Sequence, residues 1–242
     1  MFDFSRSTLI SYALILPIIL LALSIHETAH GYIANKLGDP TAKSLGRLTL
    51  NPIKHIDIFG FLCMMLFHFG WAKPVPINVR YFKNPRRGMA LTAAAGPVSN
   101  ILLAFVFAAL LRLEIFVVSA LTVSVTVFNM ICVLNYILYM GVLLNINLAV
   151  FNLIPIPPFD GSRIAHVFLP QKLYFRIMKY EQYIMIAILL LLWFVPFFSG
   201  LISTATNGLA DLVLSGVGLS IKTEAGQTMN LMIYHLFGSL FA

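Results

Sequence analysis

Two histidines one helical turn apart are the residues of this sequence best placed to do chemistry. They belong to the run His26-Glu27-Thr28-Ala29-His30. Residues at positions i and i+4 lie on one face of a helix, so both imidazoles can reach the same metal ion. Zinc is the metal that this pair predicts, because zinc accepts imidazole ligands and keeps a position open for water. Glu27 is then placed to act as general base on that water.

A polar patch at a helix end is the alternative interpretation of this run. Ionisable groups inside an apolar segment are costly and usually functional, which favours the metal site. A zinc site with two histidines needs a third protein ligand, and Asp160 is the best-placed acid. It nearly ends the run Asn152-Leu153-Ile154-Pro155-Ile156-Pro157-Pro158-Phe159-Asp160-Gly161, in which three prolines exclude a regular helix. By itself such a segment could equally be a simple turn.

The composition is that of a membrane protein. Of the 242 residues, 60% are hydrophobic and 10% are charged, whereas an average soluble domain has about 25% charged residues. A soluble enzyme, a disordered tail and a disulfide scaffold are therefore excluded. The two cysteines, Cys63 and Cys132, form no Cys-x-x-Cys pair and indicate neither a redox framework nor a cysteine-based zinc site.

Long uncharged stretches predict the elements that must position these residues. A helix needs about 20 apolar residues to cross the hydrocarbon core of a bilayer. The fold class is therefore an all-α polytopic membrane protein with four to five transmembrane helices, of which the first three form the core that carries the candidate ligands. The predicted helices are about 8–35, 89–112, 127–153, 181–198 and, in a less apolar stretch, 201–220.

Basic residues predict the orientation of these helices. The net charge of +7 would suggest a nucleic-acid partner for a soluble protein. In a membrane protein, clustered Lys and Arg mark cytoplasmic loops and contact anionic lipid, so no nucleic acid is expected. If 36–87 and 160–180 are both cytoplasmic, the first and third helices run inward and the N-terminus lies outside. Asp160 then lies at the same membrane depth as His26 and His30.

The segment between the first two membrane helices predicts a small β element. Ile58–Trp71 is apolar but too short to cross a membrane, and Gly70–Val79 shows alternation and contains β-branched residues. Open backbone exposed to lipid would lose its hydrogen bonds. We therefore expect interfacial or re-entrant loop and strands within 56–85.

Together these motifs resemble the site-2 protease family of intramembrane zinc metalloproteases, in a minimal form without PDZ-like or nucleotide-binding domains. The resemblance covers about residues 15–165. It rests on the His26–His30 motif and the Asn152–Gly161 element, and it extends to further segments of the chain. These are Leu37–Ala42, Gly46–Pro52, Trp71–Val75, Phe82–Gly88 and Gly96-Pro97-Val98-Ser99-Asn100, the last as a site of tight helix packing with Asn100 near the ligands as a lesser possibility.

The resemblance implies one zinc ion per chain, held by His26, His30 and Asp160, with Glu27 as the base that activates water. It also implies that Asn152 lies near the substrate carbonyl and stabilises the developing oxyanion. The alternative for Asn152 is a capping or loop hydrogen bond. An edge strand would receive the unwound substrate by strand addition, through Trp71, Lys73, Pro74, Val75, Pro76 and Ile77.

The implied function is hydrolysis of peptide bonds in or near transmembrane segments of other proteins, as in regulated intramembrane proteolysis. The partners would be transmembrane protein substrates and the lipid bilayer, and the location the prokaryotic plasma membrane with the active site toward the cytoplasm. Residues 1–165 would form the catalytic membrane core and 166–242 the C-terminal membrane helices. Two alternatives remain: a non-catalytic membrane scaffold of the same fold, and a metal or proton transporter. A transporter would place polar residues along several spans.

Overall fold

A computed structural model describes residues 6–67, 70–122 and 124–219, and these residues are mostly helical. The described residues form nine α-helices, which we number in chain order. They are α1 (Arg6–Lys36), α2 (Thr41–Ser44), α3 (Ile58–Phe67), α4 (Pro85–Ser119), α5 (Val125–Leu153), α6 (Asp160–Ala165), α7 (Gln171–Met178), α8 (Glu181–Phe194) and α9 (Pro196–Gly216).

Four segments of the described chain are helices long and apolar enough to cross a membrane. The first three correspond to the predicted helices 8–35, 89–112 and 127–153, and α4 continues further than expected. The expectation of an all-α membrane protein is confirmed to this extent. The four segments are Ile10–Lys36, Pro85–Ser119, Val125–Leu153 and Pro196–Gly216.

The helices that follow α7 differ from the prediction of spans at 181–198 and 201–220. Helix α8 has only 14 residues and ends at Phe194, and α9 begins at Pro196. Proline lacks an N–H group and forces the residue before it out of the helical region. Val195 accordingly has φ −116° and ψ 99°. The fourth candidate span is therefore α9 and not α8, and residues 220–242 lie outside the described part.

The predicted β element is reduced to one contact. Within 56–67 and 70–85 there is no strand, and the apolar stretch 58–67 is helix α3. Ile56 and Ala72 form a single antiparallel bridge. Because Pro74 and Pro76 have no N–H to donate, the bridge does not extend into a ladder. Residues 68 and 69 lie outside the described part.

The chain forms two compact units. The first comprises the described residues of Met1–Ile19, Ile101–Ile146 and Thr206–Ala242. In its core, buried Cys132 and Tyr136 pack against neighbours such as Leu14, Ile15 and Phe128. The second unit comprises Leu20–Asn100 and Asn147–Ala205 and contains all the candidate site residues named above. A division of the chain between residues 165 and 166 stays a prediction.

Candidate metal centre

Helix α1 places the imidazoles of His26 and His30 side by side, as their spacing predicts. Their Nε2 atoms are 3.0 Å apart. The two residues are 5% and 6% exposed, so the pair is buried. An arrangement of two imidazole nitrogens facing one point is what a shared metal ion requires.

Helix α6 brings Asp160 to this pair. Its carboxylate oxygen Oδ2 lies 3.2 Å from His26 Nε2 and 3.1 Å from His30 Nε2. Asp160 is also buried, and the three side chains form the group that could hold a metal ion. The proline-rich connection after α5 ends at Phe159, which is extended, and Asp160 is the first residue of the helix that follows.

Gly161 allows α6 to begin directly against the end of α5. A Cβ atom at this position would lie 2.3 Å from the carbonyl oxygen of Leu153 and 2.4 Å from that of Ile154. These are backbone atoms, which cannot move aside as the tip of a flexible side chain can. In the Asp-Gly pair, the glycine thus permits the close approach of α6 to α5 that positions the candidate ligand Asp160.

Helix α4 orients both imidazoles from one face. The Nδ1 atom of His30 lies 2.7 Å from the carbonyl oxygen of Thr92, and Nδ1 of His26 lies 2.5 Å from Oδ1 of Asn100. We assign the proton to Nδ1 in both rings because a carbonyl oxygen can only accept a hydrogen bond. The orientation of the Asn100 amide is supported by its Nδ2, which faces the Ala22 carbonyl oxygen at 3.5 Å.

Gly96 lies between these two acceptors, one helical turn from each. A Cβ atom at Gly96 would lie 2.4 Å from His30 Nε2 and 2.5 Å from His26 Cε1. The glycine is therefore the gap in α4 that accommodates the two rings. Asn100 was expected only as a lesser possibility, although its i+4 spacing from Gly96 was a usable signal. The sequence did not predict the Thr92 carbonyl as an acceptor, because every residue type has a main-chain carbonyl.

The donor set fits a zinc ion. With the protons on Nδ1, each Nε2 carries a lone pair. Together with Asp160 Oδ2, which has no hydrogen-bond donor in the described part of the chain, three electron-pair donors meet. The triangle they form has edges of 3.0, 3.1 and 3.2 Å. Ligand atoms of a tetrahedral zinc site are about 3.3 Å apart, given bonds of about 2.0–2.1 Å.

The charge of Asp160 suits the same role. Burial by itself raises the pKa of its carboxyl, but the effect of the neighbouring His26 and His30 outweighs this and holds the pKa well below its usual range. Asp160 is therefore ionised at neutral pH, which is the form in which a carboxylate binds a metal.

Glu27 is held by the backbone of the segment that precedes α4. Its Oε2 accepts a hydrogen bond from the N–H of Val75 at 2.8 Å. The same segment is anchored at Lys73, whose N–H donates to the His55 carbonyl at 2.8 Å and whose carbonyl accepts from Arg47 at 2.7 Å. The general base expected from sequence thus touches the segment expected to bind substrate.

The predicted substrate-binding residues differ in exposure. Trp71, Lys73 and Pro74 are exposed, Pro76 and Ile77 are half-buried, and Val75 is buried. Their role stays a prediction. Asn152 lies in the last turn of α5, where its Nδ2 donates to the Leu148 carbonyl of the same helix at 2.9 Å. This is a local hydrogen bond of the kind expected as its alternative, and its oxyanion role also stays a prediction.

Comparisons with known proteins bear on the family of the chain and not on its individual site residues. The family model described as Peptidase family M50 matches residues 13–192. The chain is similar to a Bacillus subtilis protein named "Putative zinc metalloprotease YwhC", with 41% identity over 174 residues that cover 72% of this chain and 77% of that protein. It is also similar to "Putative zinc metalloprotease MJ0611" of Methanocaldococcus jannaschii, with 31% identity over 140 residues, 57% of this chain and 62% of that protein. No solved structure shows a significant match.

Proposed function

Since the chain belongs to peptidase family M50, we propose that it is an intramembrane zinc metalloprotease that hydrolyses peptide bonds in or near transmembrane segments of other proteins. The observation that carries this proposal is the buried cluster of His26, His30 and Asp160. Two of these ligands lie in the candidate membrane span Ile10–Lys36. Ionisable groups at such a position are costly and are retained mainly where they have a function.

The residues of this site divide the reaction between them. When bound, zinc would polarise the scissile carbonyl and lower the pKa of a water molecule. His26 and His30 would hold it through Nε2, because α4 keeps the proton of each ring on Nδ1. The Glu27 carboxylate would take a proton from the attacking water and deliver it to the leaving amine nitrogen. Asn152 remains the proposed donor to the developing oxyanion.

The distribution of charge supports a site that faces the cytoplasm of a prokaryotic cell. His26 and His30 lie in the C-terminal part of the span that ends at Lys36, and basic residues follow at Lys43 and Arg47. Clustered Lys and Arg favour the cytoplasmic side of the plasma membrane. Water would then reach the site from the cytoplasm.

The substrate would have to unwind before it is cut, because helical carbonyl groups are already hydrogen-bonded. The segment Trp71–Ile77 is the proposed contact for such an extended substrate. Pro74 and Pro76 have no N–H, and the N–H groups of Lys73 and Val75 are already bonded. Residues 73–76 would therefore bind the substrate through carbonyl groups and side chains.

Metal content and cleavage test the proposal together. Wild-type protein purified in detergent without chelators should contain about one zinc per chain, and His26→Ala should lose it. Wild type, but not Glu27→Gln, should cut at least one of a panel of labelled single-span peptides in the same detergent. A fully metallated wild type that cuts none would favour a membrane scaffold, and a metal-free wild type would contradict the zinc site.

A further inference from the structure

Val75 is the only residue of the triplet Pro74-Val75-Pro76 that has a backbone N–H, and that N–H donates to Glu27. Proline fixes its own φ and also restricts the residue before it to extended conformations. Lys73 and Val75 both precede a proline. The segment Lys73–Pro76 is therefore a stiff, extended piece of chain in which Lys73 and Val75 are the only backbone N–H donors, and only that of Val75 binds Glu27.

The Val75 side chain docks on the same face of α1 as Glu27. Val75 is 6% exposed, and a Cβ atom at Gly31 would lie 3.1 Å from Val75 Cγ1 and 2.6 Å from Leu48 Cδ2. Gly31 lies one turn after Glu27, so these two positions are neighbours on the helix surface. Because Gly31 has no side chain, Val75 can pack against α1 at that position. Its N–H then reaches Glu27, one helical turn earlier.

The segment is also anchored on both sides of Val75 by groups other than Glu27. Lys73 is bonded to His55 and Arg47, as described above. The N–H of Asn78 donates to Oδ2 of Asp39 at 2.6 Å. Asp39 is fully buried, and its Oδ1 accepts from the N–H of Thr41 at 3.0 Å. The position of the Val75 N–H is thus set independently of the carboxylate that it binds.

We propose that Val75 is a positioning residue for Glu27, acting through its backbone N–H. A glutamate has three rotatable side-chain bonds, and a charge-assisted hydrogen bond to a fixed donor restricts them. The bond occupies Oε2 and leaves Oε1 to take the proton of the attacking water. Positioning of this kind contributes to the rate and not to substrate affinity. The inference rests on the proposed function.

The first test separates kcat from KM. Val75→Pro removes the N–H, whereas Val75→Thr keeps the N–H and nearly the same side-chain shape. For a labelled single-span peptide that wild type cuts, Val75→Pro should lower kcat by about tenfold or more, with KM and zinc content little changed. Val75→Thr should lose far less activity. A raised KM with unchanged kcat would show that Val75 contacts the substrate. A raised kcat would show that the bond holds Glu27 away from its productive orientation. Either result overturns the inference.

A second variant tests the same contact in case Val75→Pro, which has three consecutive prolines, does not fold. Gly31→Ala adds a Cβ atom 3.1 Å from Val75 Cγ1, so Val75 must shift slightly from its place on α1, and kcat should fall in the same direction as in Val75→Pro. Gly200→Ala is its matched control, because a Cβ atom at Gly200 meets nothing within 4 Å. Equal activity of the two alanine variants would contradict the proposed docking.

A thermal unfolding cycle tests the contact without any substrate. The difference in melting temperature between Val75→Pro and Val75→Thr is measured with Glu27 present and again in combination with Glu27→Ala. The difference should be smaller when Glu27 is replaced, because the N–H then has no carboxylate to bind. Equal differences in the two backgrounds would overturn the inference. A wild type that cuts no peptide would contradict the proposed function, whereas the cycle would still decide whether Val75 holds Glu27.

Discussion

Asn100 accepts the Nδ1 proton of His26 at 2.5 Å, and both side chains are buried between α4 and α1. The contact joins residues 74 positions apart in the chain. It fixes the tautomer in which His26 Nε2 keeps its lone pair for a metal. Asn100 thereby acts on the metal centre without belonging to the cluster of ligands.

Replacing Asn100 should weaken zinc binding. Asn100→Ala leaves His26 without its acceptor and should lower zinc affinity by about 10–100-fold. The affinity is measured by competition with a chromophoric chelator. Ser99→Ala is the matched control, because the Ser99 hydroxyl donates to the Gly96 carbonyl of its own helix and not to the histidines. Equal zinc affinities of the two variants would show that Asn100 does not contribute to zinc binding.

Replacing Asp160 should lower the zinc content of the purified protein. Asp160→Ala removes the only carboxylate of the three-residue cluster, and the two histidines alone form a weaker site. Zinc per chain is measured by inductively coupled plasma mass spectrometry. Asp57→Ala is the control acid, since Asp57 bonds the backbone of Gly60 at the start of α3. An unchanged zinc content would exclude Asp160 as a ligand.

Glu27→Gln should separate metal binding from catalysis. The variant keeps all three ligands and should retain its zinc, but glutamine cannot take a proton from water. Cleavage of the labelled peptide should fall by a factor of about 10²–10⁴. Normal cleavage by this variant would disprove the assignment of Glu27 as general base.

Gly96→Ala should disrupt the candidate metal centre by steric hindrance, without changing any candidate ligand. The added methyl group would lie 2.4–2.5 Å from atoms of both histidine rings, so the rings or α4 must shift and the zinc content should fall. Gly208→Ala places a methyl group in open space and serves as the control. If both variants keep their zinc, the close packing of α4 on the histidines is not required.

Local sequence determined the helices and the first two ligands. Apolar length predicts a span, and the i+4 spacing brings His26 and His30 together in any regular helix. Predicting Asp160 required one further step. The basic loops placed the C-terminal ends of the first and third membrane helices at the same membrane depth. The break before α9 was harder to place: the prediction ended one helix at about 198 and began the next at 201, whereas α8 ends at Phe194 and α9 begins at Pro196.

Only the tertiary structure decided what surrounds these ligands. The bonds of Asn100 to His26, of Thr92 to His30 and of Val75 to Glu27 join residues 74, 62 and 48 positions apart. Two of these bonds use main-chain groups, which every residue type carries and which therefore leave no pattern in a sequence. Which carbonyl or N–H meets a given side chain depends on how helices and loops pack. Residue types along the chain therefore predicted the candidate metal ligands, and packing decided how those side chains and Glu27 are oriented.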